Sequence, residues 1–255
     1  MLVDTHIHLD LYKDTDISEL IEEAQKNGVG FLIDVGIDIS SSHLAVDFAE
    51  KYANVYAVVG VHPHEAKSVD KKALKELKML ACKPKVVAIG EIGLDYYRNL
   101  SPRDVQKKAF LRQLNLAKGL DLPVVVHDRD AHEDVVKILK EASVSPGRAL
   151  IHCFSGDTDF LNEIINMGYY ISIGGPVTFK NAKKTVEVIR AVPLERLFLE
   201  TDGPYLAPHP HRGKINRPAW LPLIAQKIAD IKGISLAEVE KVTIENVLRF
   251  FGIGV

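Results

Sequence analysis

The sequence is poor in cysteine. Its 255 residues contain two, Cys82 and Cys153, and these lie far apart in separate apolar stretches. Such a pair does not make a disulfide framework, and the usage is typical of proteins from a reducing cytoplasm. We therefore expect a cytoplasmic protein that is stabilised by its core, which a chain of this length is large enough to form.

The sequence also lacks an excess of positive charge and any long apolar run. Its 32 basic and 34 acidic residues leave a net charge of −2. That balance argues against non-specific coating of nucleic acid, but it does not exclude an enzyme that holds a few phosphates in a cleft. Because no run has transmembrane length and no signal peptide is recognisable, we expect no association with a membrane.

Eight short apolar runs, rich in β-branched residues, alternate with helical patterns. No internal repeat, low-complexity tract or linker interrupts them, so residues 1–255 are expected to form a single domain. The predicted strands are residues 2–8, 30–36, 55–61, 86–91, 123–127, 149–152, 169–173 and 197–202. This alternation predicts an α/β fold, a (β/α)8 TIM barrel. An open doubly wound sheet is the alternative, but no G-x-G-x-x-G follows the first strand.

Local signals place several of the helices between these strands. Ser101 is expected to cap a helix that has Pro102 at its first position and ends near Gly119. A last helix is expected from Ser235 to Phe251, at the end of the chain.

Two histidines end the first predicted strand. His6 and His8 are two residues apart, so their side chains point to the same side of an extended strand and can reach one ion. An H-x-H pair is a weak signal by itself. Four more metal-competent residues end other predicted strands: Glu91, His127, His152 and Asp202. In a barrel these ends meet at one mouth, where active sites lie, so the sequence predicts a metal centre.

The donor types limit the metal that this centre would take. Imidazole with carboxylate suits zinc, manganese, iron or nickel, and magnesium is possible if water completes its shell. Six ligands exceed the need of one tetrahedral zinc ion. We therefore expect one or two divalent ions, with Glu91 as a bridge, and a hydrolytic reaction in which a metal activates water. Asp202 is the expected acceptor of the proton from that water; the alternative is that Asp202 serves only as a ligand.

Other side chains near the predicted mouth are candidates for binding a substrate. Arg129 follows His127 by two residues and suits a bidentate contact with phosphate. His62, which ends the third predicted strand, can hydrogen-bond a substrate, and Tyr96 can stack on a base. A basic loop, residues 209–217, is the best sequence indication of an anionic strand as substrate. Each of these can also be an ordinary loop residue.

Seven segments together resemble a known family, the TatD-like metal-dependent deoxyribonucleases of the amidohydrolase superfamily. They begin with Asp4-Thr5-His6-Ile7-His8-Leu9-Asp10, Gly60-Val61-His62-Pro63-His64 and Gly90-Glu91-Ile92-Gly93-Leu94-Asp95-Tyr96-Tyr97. They continue with Val126-His127-Asp128-Arg129, His152-Cys153-Phe154-Ser155-Gly156, Glu200-Thr201-Asp202-Gly203-Pro204-Tyr205-Leu206-Ala207-Pro208 and Arg212-Gly213-Lys214-Ile215-Asn216-Arg217-Pro218. The resemblance runs in order from position 4 to about position 250.

The resemblance implies a TIM barrel and exonucleolytic cleavage of phosphodiester bonds in single-stranded DNA. It implies that His6, His8 and Asp202 bind one metal, that His127 and His152 bind a second, and that Glu91 bridges the two. DNA would then be a transient partner, and no obligate protein partner is expected.

Two other functions compete with this reading. A different enzyme of the superfamily would act on a small-molecule ester, amide or lactone, although many such barrels carry a modified lysine where Glu91 stands here. A barrel that only binds metal or nucleic acid would be a scaffold, and the complete set of expected ligands argues against it.

Overall fold

The computed structural model describes residues 1–254, and its centre is a sheet of eight parallel strands. Each strand pairs with its sequence neighbour, in the order β1 to β8. The strands are β1 (Leu2–Ile7), β2 (Val29–Val35), β3 (Val55–Val59), β4 (Val86–Asp95), β5 (Val124–Arg129), β6 (Ala149–Ile151), β7 (Tyr170–Ile173) and β8 (Leu197–Leu199). This arrangement is the predicted TIM barrel.

Nine α-helices, within the described residues, accompany the strands. They are α1 (Ile17–Lys26), α2 (Ile39–Lys51), α3 (Lys71–Ala81), α4 (Arg103–Leu120), α5 (His132–Glu141), α6 (Thr158–Asn166), α7 (Lys183–Ala191), α8 (Leu221–Lys232) and α9 (Leu236–Phe251). None of the helices in residues 1–254 has the length and apolar character that a membrane span requires.

Apolar residues alternate between two layers along the strands, because successive side chains of a strand point to opposite faces. On β5, Val124 and Val126 belong to the layer shared with the helices, whereas Val125 belongs to a separate inner cluster. On β8, Leu197 and Leu199 face the helices and Phe198 faces inward. The inner cluster fills the barrel, so the interior is a packed core and not a pore.

The lower end of the barrel, at the amino ends of the strands, is closed by aromatic rings. Phe250 of α9 packs against Tyr170 and Phe198, with ring centroids 5.4 and 5.5 Å away. Phe251 lies 4.8 Å from Phe250 in an edge-to-face arrangement, which aromatic pairs prefer. The last helix therefore supplies the floor of the inner cluster.

The segment after β8 closes the barrel against β1. Asp202 donates its backbone N–H to the carbonyl of His6 at 2.9 Å, and His8 donates its own to the carbonyl of Gly203, also at 2.9 Å. Beneath them, the buried Asp4 carboxylate accepts the backbone N–H of Thr201 at 2.9 Å. This closure places the ends of the first and last strands side by side.

Most element boundaries differ from the sequence prediction by a few residues; β8, for example, ends at Leu199 and not at Asp202. Pro102, and not Ser101, is the N-cap of α4, because its extended backbone, with ψ at 141°, delays the helix by one residue. Ser101 donates its hydroxyl to the carbonyl of His64 instead. Strand β4 continues four residues past Glu91, to Asp95. The last helix agrees with its prediction, since Ser235 caps α9 by accepting the N–H of Glu238.

Candidate metal centre

A single buried carboxylate lies between the predicted histidines. Glu91 Oε1 is 2.6 Å from His127 Nδ1 and 2.7 Å from His152 Nε2. Glu91 Oε2 is 3.4 Å from His6 Nε2 and 3.9 Å from His8 Nε2. The two oxygens of Glu91 therefore face two separate pairs of imidazoles.

Asp202 lies beside the pair formed by His6 and His8. Its Oδ1 is 3.6 Å from His8 Nε2. One of its carboxylate oxygens also lies within 4.8 Å of a ring nitrogen of His6 and of a ring nitrogen of His152. Asp202 reaches this place because the segment after β8 turns back against β1, with a positive φ of 54° at Asp202 itself. The structure thus brings together all six residues that the sequence singled out as ligands.

Glu91 is positioned inside β4 and not at its end. The pairing of β4 with β5 changes register between Ile89 and Ile92, so β4 is irregular at Glu91. The preceding residue, Gly90, lies so close to β5 that a Cβ there would be 2.8 Å from Val125. Glycine at this position lets the strand approach its neighbour while Glu91 turns toward the histidines.

His6 is the clearest sign that this cluster suits a cation. Its ring is fully buried and stacks on His152 at 3.9 Å, yet neither ring nitrogen has a hydrogen-bond partner among residues 1–254. Burial, with the neighbouring His152, lowers the pKa of His6 to about 4, so the ring is neutral and its lone pair is available. Buried polar atoms are normally satisfied, and a divalent ion would satisfy this one.

Three of the four histidines predicted as ligands have an acceptor near the ring nitrogen that points away from Glu91. His8 Nδ1 lies 2.7 Å from the carbonyl of Val35, and His127 Nε2 lies 3.3 Å from Asp95 Oδ2. His152 Nδ1 faces Glu200 Oε1 at the longer distance of 3.7 Å. When a cation occupies the cluster, acceptors in these positions would hold the proton of a neutral imidazole on its outer nitrogen and leave the inner nitrogen free to bind the ion.

The charges of the cluster depend on one another. Burial would raise the pKa of Glu91, but His152 and His62 lower it well below its usual value, so the carboxylate is ionised. Burial would lower the pKa of His8, but Asp202 and Glu91 raise it to about 9. The carboxylates thus favour positive charge at this place, whether a proton or a metal ion supplies it.

A cavity of about 630 Å³ opens above the cluster. Both Arg98 and Arg129 line it, and the Arg129 guanidinium lies 4.1 Å over the ring of Tyr97. The exposed side chains of Tyr205 and Leu206 also line it and add apolar surface. The cavity therefore offers positive charge and aromatic surface above a floor of metal-type ligands.

The residues predicted to bind a substrate lie in different places. His62 and Arg129 line the cavity, whereas Tyr96 is not among its lining residues within the described chain. Tyr96 donates its hydroxyl to Asp134 at 2.7 Å, and Arg103 covers its ring. Tyr205 lines the cavity instead. Its position three residues after Asp202 is the feature of the sequence that could have indicated this.

Most cations of the predicted basic loop are engaged by the protein. Arg212 lies 4.5 Å over the ring of Phe179, and Arg217 pairs with Glu23. His211 stacks on Trp220 at 4.0 Å. Positive charge at the cavity comes from Arg98 and Arg129 rather than from this loop.

Sequence reasoning did not single out Asp95 or Glu200. Asp95 contacts both His127 and His64, with His64 Nε2 2.8 Å from Asp95 Oδ2. Glu200 accepts the backbone N–H of Cys153 at 2.7 Å and the hydroxyl of Ser172. Both carboxylates lie within four residues of a predicted ligand on the same segment, but only the packed barrel shows which histidines they face.

Comparison with known proteins gives consistent matches over the whole chain. A family model described as TatD related DNase matches residues 3–252. The chain is 44% identical over all of its length, and all of its relative's, to a Bacillus subtilis protein named uncharacterized metal-dependent hydrolase YabD. It is 36% identical to a Klebsiella pneumoniae protein named 3'-5' ssDNA/RNA exonuclease TatD, with 94% of this chain and 93% of that one aligned.

Solved structures show the same fold. The Escherichia coli TatD homologue YjjV superposes with a TM-score of 0.94 at 30% identity, covering 99% of this chain and 98% of that one. A TatD family hydrolase from Entamoeba histolytica superposes with a TM-score of 0.88 at 27% identity, covering 98% and 97%.

Proposed function

The chain belongs to the TatD related DNase family, and on that premise we propose that it hydrolyses phosphodiester bonds of single-stranded DNA from an end. As a member of this family it is a metal-dependent hydrolase. The observation that carries the finer proposal is the position of Glu91, buried between two histidine pairs at the floor of a cavity whose wall bears Arg98 and Arg129.

The donor set would hold one or two divalent ions. His6, His8 and Asp202 would serve one position, His127 and His152 the other, and Glu91 both. A divalent cation bound there supplies Lewis acidity toward water and toward a phosphoryl oxygen. Asp202 lines the cavity and is less buried than Glu91, so it is the carboxylate best placed to take the proton from the attacking water.

The depth of the site favours a strand end as substrate. Glu91 is 3% exposed and His152 is 4% exposed, so a scissile phosphate must enter the cavity to reach them. A flexible single strand can bend into the cavity, whereas a duplex presents a wide, stiff surface. Arg129 can pair with a backbone phosphate, and Tyr205 offers a face on which a base can stack. The name of the Klebsiella relative accords with this substrate class.

The test is cleavage of an end-labelled single-stranded oligonucleotide by the purified protein. We expect activity with zinc, manganese or magnesium, loss with a chelator, and recovery on adding metal back. Glu91→Gln should reduce the rate by more than about 10³-fold, or ~4 kcal/mol of transition-state stabilisation, while circular dichroism shows a retained fold. Glu245→Gln removes an exposed carboxylate of α9 and should leave the rate unchanged.

Substrates with other scissile bonds separate this proposal from its main competitor. An amide, a lactone and a carboxylic ester should be cleaved far more slowly than the phosphodiester with every metal. Robust amidase or lactonase activity, together with inertness toward DNA, would reject the nuclease and retain the hydrolase.

A further inference from the structure

His62 lies among the metal-type ligands by distance alone. Its Nε2 is 3.5 Å from Glu91 Oε1, and its ring centroid is 4.4 Å from that of His127. One ligand atom from each of His62, Glu91 and His127 falls within 4.8 Å of the others. Distances therefore allow two roles for His62: a further ligand, or a group that contacts the substrate.

The second ring nitrogen distinguishes these roles. His62 Nδ1 accepts the backbone N–H of His64 at 3.1 Å. This bond follows from the sequence His62-Pro63-His64. Pro63 is the first residue of a 3₁₀ helix, Pro63–Ser68, and has no backbone N–H. The first N–H that needs a partner at the start of this helix is therefore that of His64. His62 caps that donor with its ring nitrogen, as an Asn or Asp would with oxygen.

A nitrogen that accepts a hydrogen bond cannot also carry a proton. Neutral His62 therefore carries its proton on Nε2, the nitrogen that faces Glu91 and the cavity. His8 has the opposite arrangement, because its Nδ1 donates to the carbonyl of Val35 and leaves the lone pair on Nε2. The backbone hydrogen bonds thus favour the tautomer of His8 that can bind a metal through Nε2 and the tautomer of His62 that can donate a hydrogen bond from Nε2.

We propose that His62 is a hydrogen-bond donor to a non-bridging phosphoryl oxygen of the substrate and is not a metal ligand. This assignment rests on the proposed phosphodiesterase function. The ring lines the cavity. The distance of 3.5 Å from His62 Nε2 to Glu91 Oε1 is too long for a strong hydrogen bond, so the Nε2–H can still be donated to a substrate. No proton is transferred: the Nε2–H stabilises charge that develops on the phosphoryl group, as an oxyanion-hole donor does.

Metal content is the first test. Zinc bound per chain should be equal in wild type, His62→Gln and His62→Leu, measured by elemental analysis after gel filtration. His8→Gln, which alters a predicted ligand, should lose zinc in the same assay. Loss of zinc from both His62 variants at the level seen for His8→Gln would overturn the proposal.

The proton position is the second test, and it needs no turnover. In zinc-loaded protein labelled with ¹⁵N-histidine, the His62 resonances assigned with the His62→Gln variant should show a protonated Nε2 and an unprotonated Nδ1. Inorganic phosphate should shift the Nε2–H resonance, and His62→Leu should weaken phosphate binding. A protonated Nδ1, or phosphate binding that is equally strong in His62→Leu, would contradict the donor role.

Kinetics give the third test. Removal of one donor to a developing oxyanion typically costs 10²–10³-fold, so His62→Leu should lower kcat by about 10²-fold with little change in KM. His62→Gln keeps an N–H at a similar reach and should recover about tenfold of that loss. His43→Gln, at an exposed histidine on α2, is the matched control. Wild-type inertness toward every phosphodiester would reject the proposed function, while the zinc, ¹⁵N and phosphate measurements would still decide the role of His62.

Discussion

The two ends of the barrel are formed by the same eight strands and have opposite chemistry. At the lower end, the inner cluster is apolar and closed by Phe250 and Phe251. At the upper end, the interior positions carry His127, His152 and Glu200 instead of apolar residues. Among residues 1–254, both ring nitrogens of His6 and the Nδ1 of His152 are buried at the upper end without a hydrogen-bond partner in the protein.

Positive φ values at non-glycine residues occur at both ends, and at the lower end they follow helices, as at Asp121, the C-cap of α4, with φ at 53°. Three non-glycine residues at the upper end, Cys153, Asp202 and Leu206, have positive φ values of 46°, 54° and 52°. L-residues rarely adopt this conformation, and it is frequent at functional sites. The comparison teaches that the same strands carry an apolar, aromatic cluster at one end and a cluster of buried polar groups at the other.

Phe250→Ala should have the largest effect on stability, because it opens a cavity in the closed lower end. We expect a loss of about 3–4 kcal/mol, or roughly 10 °C in Tm, with kcat unchanged at temperatures where the variant is folded. Thermal and urea unfolding of metal-loaded protein measure the loss. A large fall in kcat with an unchanged Tm would show that the two ends are not separable.

Removal of metal should act on the upper end alone. If free metal stands at about 100 times its dissociation constant, binding contributes about 2.7 kcal/mol, and a chelator should lower Tm accordingly while it abolishes activity. Differential scanning calorimetry over a series of zinc concentrations is the measurement. A Tm independent of zinc would mean that the centre does not bind it.

Arg129→Leu should weaken substrate binding without changing the fold. Loss of one charge-assisted contact with phosphate is expected to raise KM about tenfold, with a smaller effect on kcat. Arg249→Leu makes the same change at an exposed position of α9, and it should leave KM unaltered. Equal effects of the two variants on KM would mean that Arg129 contributes to substrate binding only through the net charge of the protein and not through a direct contact.

His132→Gln should have the smallest effect. The hydrogen bond to Asp128 raises the pKa of His132, partly opposed by burial and helped by Asp130 and Asp157. A raised histidine pKa contributes stability that is present below its unfolded value and is lost as pH rises through the folded value. The side chain is 34% exposed, so we expect the variant to lose about 0.5 kcal/mol more stability near pH 5.5 than near pH 9. Chemical denaturation at both pH values measures it, and an equal loss at both would contradict the ion pair.

The sequence was most informative where side-chain period and chain direction decide the outcome. The eight strands and the shared position of His6, Glu91 and Asp202 follow from alternating apolar runs and from polar residues near their carboxyl ends. The irregular course of β4 beyond Glu91 did not, because it depends on the approach of Gly90 to β5.

Long side chains on the loops were the least predictable part of the site. Tyr96 and Tyr97 are adjacent in sequence, yet Tyr96 is held by Asp134 and Arg103, while Tyr97 is exposed and supports Arg129. The tautomer of His8 was equally inaccessible, since it depends on the carbonyl of Val35, which only the fold brings near. Sequence pattern thus indicates which residues gather, and tertiary contacts decide what each can donate or accept.

The closure of the barrel has a consequence for how the protein matures. His6 leaves the ribosome early, whereas Asp202 follows almost two hundred residues later, and the two meet only when the segment after β8 docks on β1. Contacts between such distant parts of a chain form late in folding. A nascent chain therefore has no complete set of candidate ligands, and we expect a hydrolase of this design to become active only once the segment after its last strand is in place.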